Sequence, residues 1–411
     1  MKRLLERCCG LDVHRARVTA CVRLPDRTGN RAELVAEFET VTSGLLALRD
    51  WLQGLGVTDV AMEATGVYWK PVWYVLEDDF ELLLVNAQHV KNVPGRKTDV
   101  SDAQWLCQLL EHGLLRGSFV PPRPQRELRD LTRYRKALIR ERQREVNRLH
   151  KLLEDAGIKL ACVASDVLGV SGRAMIEALI AGEGDPAALA DLARGKLRSK
   201  LPALREALEG RFSGHHALLC AHILSHLDYL EETVSALGGE IGQRLRPFEH
   251  QLELLCTIPG IARRSAEVIL AELGADMNVF PSDRHAASWV SLCPGNRRSA
   301  GKSSSGSTRK GNPWLRETLV ESARAASRTR DSYLKSQYLR LRRRRGDQKA
   351  IVAVAHSILV IAYHILKEGK PYQELGGDYF ERRERPELLA RRLTQQLERL
   401  GHRVTLEPIP A

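Results

Sequence analysis

The sequence lacks the markers of several protein classes. Its eight cysteines (Cys8, Cys9, Cys21, Cys107, Cys162, Cys220, Cys256 and Cys293) form no CxxC pair and no zinc-ligand spacing, which argues against a zinc ribbon or a disulfide scaffold. They read as reduced, mostly buried thiols of a cytoplasmic protein. The opening MKRLLERCCGLDVH has no long apolar region of the signal-peptide kind, so no export is expected. The most membrane-like run, AIVAVAHSILVIAYHIL at 350–366, is interrupted by His356, Ser357 and His364. It is short for a span and reads as a buried helix, with no membrane partner.

What is present is charge of one sign in excess. Across 411 residues, 63 Lys and Arg face 51 Asp and Glu, a formal +12. Such a surplus favours a polyanion, and most of these cations are arginines, which fork onto phosphate oxygens. A hydrophobic fraction of 43% is enough for packed cores, and the length suits two or three domains.

The first hundred residues alternate in an informative order. A strand around Cys9 to Val13, a second from Arg17 to Leu24 and a third in ELVAEFETV suggest a meander. SGLLALRDWLQGLG is helical, capped by Ser43; DVAMEA is a strand, YWKPVWYVLED a helix despite Pro71, and ELLLVN a buried strand. Three strands, helix, strand, helix, strand, helix is the order of the ribonuclease H fold. Residues 125–155 make a long amphipathic helix whose dense Arg and Glu face is expected to be solvated or to lie on phosphates. The block LLCAHILSHLDYLEETVSALGGEIGQRL is expected to return against it. Small residues, Gly and Ser follow Phe248, and a basic helical tail closes the chain.

Four acids stand out. Asp12 ends the first strand, and an acid inside an apolar strand is costly without a partner. Glu63 ends the fourth strand, while Asp99 and Asp102, three apart in KTDVSDA, share one helix face. Asp99 also suits a helix cap, and Asp102 a first-turn acid complementing the helix dipole. Carboxylates converging from these positions repel unless a divalent cation neutralises them, and Mg2+ or Mn2+ fits oxygen ligands. Two such ions would serve phosphoryl transfer. His14, beside Asp12, reads first as a packed strand histidine and second as a group that positions a ligand or water, and Trp69 and Trp73 read as core aromatics.

Two further stretches point to phosphate. IPGIARRSAEVILAELG resembles half of a helix-hairpin-helix, in which Gly260 and Arg263 stand where turn amides and a helix N-terminus hold a backbone phosphate; an ordinary helical hairpin gives the same pattern. SLCPGNRRSAGKSSSGSTRKGNPWLR, flanked by Trp289 and Trp314, reads as an ordered loop in which a hydroxyl sits among Arg297, Arg298, Lys302, Arg309 and Lys310. Those cations would stabilise charge on a pentavalent phosphorus. Ser299 is the candidate nucleophile, with Ser303, Ser304 and Ser305 as rivals, against a loop whose serines only contact phosphates. RLRRRRG, ending at Gly346, reads as a solvated or phosphate-tracking face.

The stretches GLDVH, MEATGVYW, GRKTDVSDAQWL, IPGI, SWVSLCPGNRRSAGKSSSG, RKGNPWLR and the DYFERR tail, taken in order, resemble the IS-one-ten family of insertion-sequence transposases. That resemblance implies an α/β plus α chain: a RuvC-like, ribonuclease H-like domain with an Asp, Glu, Asp, Asp set (1–120), a helical or coiled-coil middle (121–250), a mostly helical serine domain with a helix-hairpin-helix-like element (251–370) and a basic tail (371–411). Asp12, Glu63, Asp99 and Asp102 match the family acids, and Ser299 in RSAGK matches the family serine. The resemblance also implies Mg2+ or Mn2+, a phosphoserine intermediate, DNA partners at element ends and target, a structured noncoding bridge RNA as guide, and a homo-oligomer, dimer or tetramer, in the bacterial cytoplasm with the nucleoid. The rival readings are a metal-dependent, structure-specific DNA nuclease without a covalent intermediate, and a non-enzymatic nucleic-acid-binding protein.

Overall fold

A computed structural model describes residues 4–26, 30–64, 66–87, 90, 101–293, 298–299, 302–303, 308, 311–383 and 386–407. The chain divides into two compact units, residues Met1–Pro121 and Pro122–Ala411.

The first unit is a mixed α/β sandwich in the expected order: β1 (Cys8–Val13), β2 (Arg17–Pro25), β3 (Arg31–Glu39), α1 (Thr42–Gly54), β4 (Asp59–Glu63), α2 (Trp69–Leu76), β5 (Glu81–Val85) and α3 (Asp102–Glu111). The strands make one sheet in the order β3-β2-β1-β4-β5. The meander β1-β2-β3 is antiparallel, and β4 and β5 join in parallel to β1. Alternation along β1 sorts its side chains. Cys9, Leu11 and Val13 face α1 and α2, packing with Leu48, Leu52, Val72 and Trp73, while Cys8 lies on the other face with α3.

Two local expectations are revised. Val41, not Ser43, is the cap residue of α1 and offers no side-chain hydrogen bond. Pro71 is tolerated because it falls in the first turn of α2, where its missing N–H has no helical partner to lose.

The second unit is built on α4 (Arg123–Asp155). Shorter helices, among them α5 (Val170–Ile180) and α6 (Leu201–Leu208), precede α7 (Gly214–Leu245), which returns along α4 as expected. Leu138 packs on Leu230 and Val234, and Leu149 and Leu153 join Cys220, Leu224 and Leu227. The rest includes α8 (Glu249–Cys256), α9 (Arg263–Leu273), α10 (Asp283–Val290), the short strands β6 (Arg298–Ser299) and β7 (Lys302–Ser303), α11 (Pro313–Ala326), α12 (Tyr333–Arg345), α13 (Asp347–Glu368), a single helical turn at Tyr379–Arg382 and α14 (Pro386–Arg399). The membrane-like run lies in α13. This helix is long and apolar enough to cross a membrane, yet Val354, Ala355, Ile358, Leu359 and Ala362 are buried in the unit's interior.

Candidate active site

Backbone register brings the first two acids together. In the parallel pair of β1 and β4, Leu11 stands opposite Met62, so the next step along both strands sets Asp12 beside Glu63. Ala61 lies on the α3 face of the sheet with Cys8; two residues on, Glu63 falls on that face, as does Asp12.

Helix α3 brings Asp102 towards them. The Cys107 sulfur lies 3.8 Å from that of Cys8, and a Cβ at Gly10 would stand 2.4 Å from the Ala103 carbonyl oxygen and 2.5 Å from the Cys107 nitrogen. As β1 advances from Cys8 through Gly10 to Asp12, the opposing helix therefore runs back from Cys107 through Ala103 to its first turn, which holds Asp102. Asp99 lies outside the described residues.

Three interactions fix α3 in this position. Ser101 caps it in a box with Gln104, whose side chain accepts from the Ser101 N–H at 2.9 Å. The Gln104 amide nitrogen also donates to Glu33. At the far end the buried Glu111 carboxylate meets Arg23 Nε and Arg31 Nε, each at 2.9 Å. Gln104, Glu111 and Gly10 were not singled out from sequence; Glu111, an acid ending an apolar helix, carried a faint signal in its need for a buried partner.

Asp12 Oδ2 lies 3.2 Å from His14 Nε2. His14 is 71% exposed, which revises the packed-strand reading: it follows the end of β1 and stands at the solvent edge of the acids. Trp73 is buried in the core and Trp69 packs edge-on against it, their ring centroids 5.8 Å apart. Behind the acids, Cys8 is held below its usual range by a hydrogen bond from Cys107, and Cys107 is pushed up by its contacts with Cys21 and Cys8 and by burial.

Asp12 and Glu63, neighbours in the strand register, and Asp102 in the first turn of α3 are carboxylates, hard oxygen donors of the kind that suit Mg2+ or Mn2+. Asp155, His215 and His216 also bring three ligand atoms within 4.8 Å of one another. Their chemistry is explained by helix capping. His216 Nδ1 accepts the Ser213 N–H at 3.1 Å, which leaves the proton on Nε2, and that atom faces Asp155 Oδ2 at 3.2 Å. A metal on Nε2 would force the proton onto Nδ1, against the donor already there.

In the second unit β6 and β7 pair antiparallel, Arg298 with Ser303 and Ser299 with Lys302. Arg297, Ser304, Ser305, Arg309 and Lys310 lie outside the described residues. The segment's ends are anchored together. Ser291 is in the left-handed region at φ 64°, and a Cβ at Gly311 would come within 2.5 Å of its hydroxyl. Asn312 caps α11, accepting from the Trp314 and Leu315 N–H groups at 3.1 Å, and donates to Glu272 at 2.6 Å. Glu272 is fully buried, and Arg133 forks onto it at 2.7 and 2.8 Å. Arg129 joins at 3.3 Å; burial lowers its pKa to about 10, with Glu272 opposing. The Asn312-Pro313 pair is a helix-start signature visible in sequence; its tie to Glu272 is not.

These contacts revise the reading of α4. Much of its charge turns inward: Arg135 pairs with the buried Glu267 at 2.7 Å, Lys136 donates to Thr318 at 2.8 Å, and Arg140 pairs with Glu317 and lies 5.0 Å over the Trp314 ring. The IPGI segment is the turn between α8 and α9. At Gly260, φ is +87° and a Cβ would meet the Ser322 carbonyl oxygen at 2.3 Å, so the turn packs against α11. Arg263 is forked onto Glu249 and reaches Glu267 at 3.3 Å, and it holds the Glu249 carboxyl below its usual range.

Two family models match the chain. One, for a DEDD-type transposase domain, covers residues 9–158 and so takes in the whole of α4. The other, for the transposase IS116/IS110/IS902 family, covers residues 252–339. The chain is 28% identical over 269 residues to the transposase for insertion sequence element IS1328 of Yersinia enterocolitica, spanning 64% of this chain and 70% of that protein. It is 26% identical over 296 residues to the transposase for insertion sequence element IS1111A of Coxiella burnetii, 71% of this chain and 72% of that one. A pilin gene-inverting protein of Moraxella bovis is 26% identical over 168 residues, 38% of this chain and 51% of that protein. Two family models matched in order, together with relatives named as transposases, support a transposase of the IS116/IS110/IS902 kind, an enzyme acting on DNA.

Proposed function

We propose that this transposase cuts and rejoins DNA through a ribonuclease H-like acid site and a serine nucleophile. What supports the reading is the strand register that sets Asp12 beside Glu63 on the sheet face covered by α3, with Asp102 in the first turn of that helix. The sheet order β3-β2-β1-β4-β5 supports a RuvC-like domain over residues 1–120, and the relative that inverts a pilin gene supports strand exchange by recombination. Beyond it, 121–250 is a helical middle, 251–370 the serine domain and 371–411 the tail.

In this reading Asp12, Glu63, Asp99 and Asp102 hold Mg2+ or Mn2+, which when bound supplies positive charge at the reacting phosphate. Ser299 Oγ forms a bond to phosphorus, the bond from phosphorus to one strand oxygen breaks, and the serine proton ends on the released hydroxyl. Arg297, Arg298, Lys302, Arg309 and Lys310 would balance charge on the phosphoryl oxygens, and Gly260 and Arg263 would stand near the backbone at the α8–α9 turn. A structured guide RNA selecting DNA, and a dimer or tetramer, belong to the same proposal.

The test incubates the protein with its element's flanking DNA, the element's noncoding RNA and Mg2+, then denatures it and looks for labelled DNA joined to protein. Attachment in the wild type that vanishes in Ser299→Ala is expected, as is loss of recombination in Asp12→Ala with binding retained. Free cut ends in both wild type and Ser299→Ala would replace this reading with a metal-dependent nuclease, and recombination by either variant would remove that residue from the chemistry.

A further inference from the structure

A groove of about 910 Å³ lies in the second unit between α12 and the C-terminal segment, away from the β6–β7 hairpin in sequence. Lys335, Arg340, Arg343 and Arg344 line one wall, Phe380 and Arg383 the other; the carboxylates among its lining residues are Asp331 and Glu381. Leu334 and Tyr338 are the buried face of α12, so Arg340, Arg343 and Arg344, spaced three and four apart, project together into solvent. Among the described residues no carboxylate lies within ion-pair distance of these three arginines.

The far wall holds its shape through aromatic contacts. Tyr333 stacks on Phe380 at 5.5 Å and meets Tyr379 edge-on at 4.9 Å. The Arg340 guanidinium lies 4.7 Å over Phe380, and Arg383 donates to the Tyr379 hydroxyl at 2.7 Å. Two cations are therefore held as planar forks before any ligand arrives, which lowers the entropy lost on binding. Among the described residues lining the groove, Phe380 is the aromatic ring, and it already stacks on Tyr333 and carries Arg340, unlike the open stacking platforms typical of single-strand binding.

We propose that this groove holds the phosphate backbone of duplex DNA without reading its sequence. Cation surplus and forked arginines favour backbone contact over base readout. A short basic helix end also complements the helix dipole, but the dipole calls for cations in the last turn alone, whereas Lys335 and Arg340 lie further back and face the same groove. The proposal rests on the reading of the protein as an enzyme that cuts and rejoins DNA, and names a surface of that enzyme.

The experiment uses the full chain and a short duplex of arbitrary sequence, followed by fluorescence anisotropy at increasing KCl. For the double substitution Arg343→Gln, Arg344→Gln, loss of two phosphate contacts should reduce the slope of log affinity against log salt by about 1.8 and weaken binding about tenfold or more near physiological salt. The pair Arg343→Lys, Arg344→Lys should restore the slope, because charge is kept while the fork is lost. Unfolding curves coinciding with wild type exclude a folding defect, since both side chains are exposed. Unchanged affinity and slope in the glutamine variant would overturn the proposal, as would loss of binding to a structured RNA with duplex binding intact. Asp12→Asn should bind the duplex as wild type does. Failure of that variant to lose cleavage would count against the acid site alone, so the two readings fail separately.

Discussion

Gly10 sits where β1 and α3 come closest, and the atoms a Cβ would strike there are backbone atoms of Ala103 and Cys107, which cannot rotate aside. Gly10→Ala must push α3 off the sheet and shift Asp102 relative to Asp12 with every acid in place. The expected cost is about 1–3 kcal/mol, read by denaturant unfolding, together with a loss of DNA cleavage larger than the unfolded fraction explains. Gly54, at the end of α1, has nothing within 4 Å of its Cβ position, and Gly54→Ala should leave stability unchanged or raise it by up to about 1 kcal/mol. Equal stability of Gly10→Ala and wild type would show that α3 does not depend on this contact. An acid in a strand announces itself because its cost is local, and so Asp12 was visible in the sequence; a glycine needed for close approach looks the same as any other, and so Gly10 was not.

At the scale of elements, the same distinction separates what the sequence disclosed from what it withheld. The five strands and the helices between them were legible because burial on one face imposes a period on the residues. The role of α4 was not. Arginines that lie on phosphate and arginines that pair with Glu267 or Glu272 have the same composition and spacing, and only the partner's position tells them apart. Glu272 joins α4, α9 and the start of α11 through Arg129, Arg133 and Asn312. Glu272→Gln keeps the shape and removes the buried charge that faces the Arg129 and Arg133 guanidiniums. Breaking such a pair costs about 3–5 kcal/mol. A shift of the unfolding midpoint of that size is expected, with weaker recombination because Asn312 ends the serine-bearing segment. A variant as stable as wild type would mean that solvent reaches Arg129.

Over the whole molecule, the chain divides at a proline-rich joint, with Pro121 closing one unit and Pro122 capping α4 of the next. The apolar clusters around the sheet draw on residues up to Val120, and those of the α4–α7 hairpin begin at Leu138. Units of about 120 and 290 residues are each large enough to bury most of their apolar surface alone, roughly two thirds and three quarters of the unfolded chain's area. Residues 122–411, expressed alone, should therefore show helical circular dichroism and a cooperative thermal transition. This fragment keeps the groove between α12 and the C-terminal segment, so it should bind duplex DNA with the salt dependence of the full chain. It lacks Asp12, Glu63, Asp99 and Asp102 and should leave the DNA uncut. A fragment that is soluble but melts without cooperativity would show that the helical unit needs the sheet to fold. A folded fragment that no longer binds duplex would move the main DNA contacts to residues 1–121.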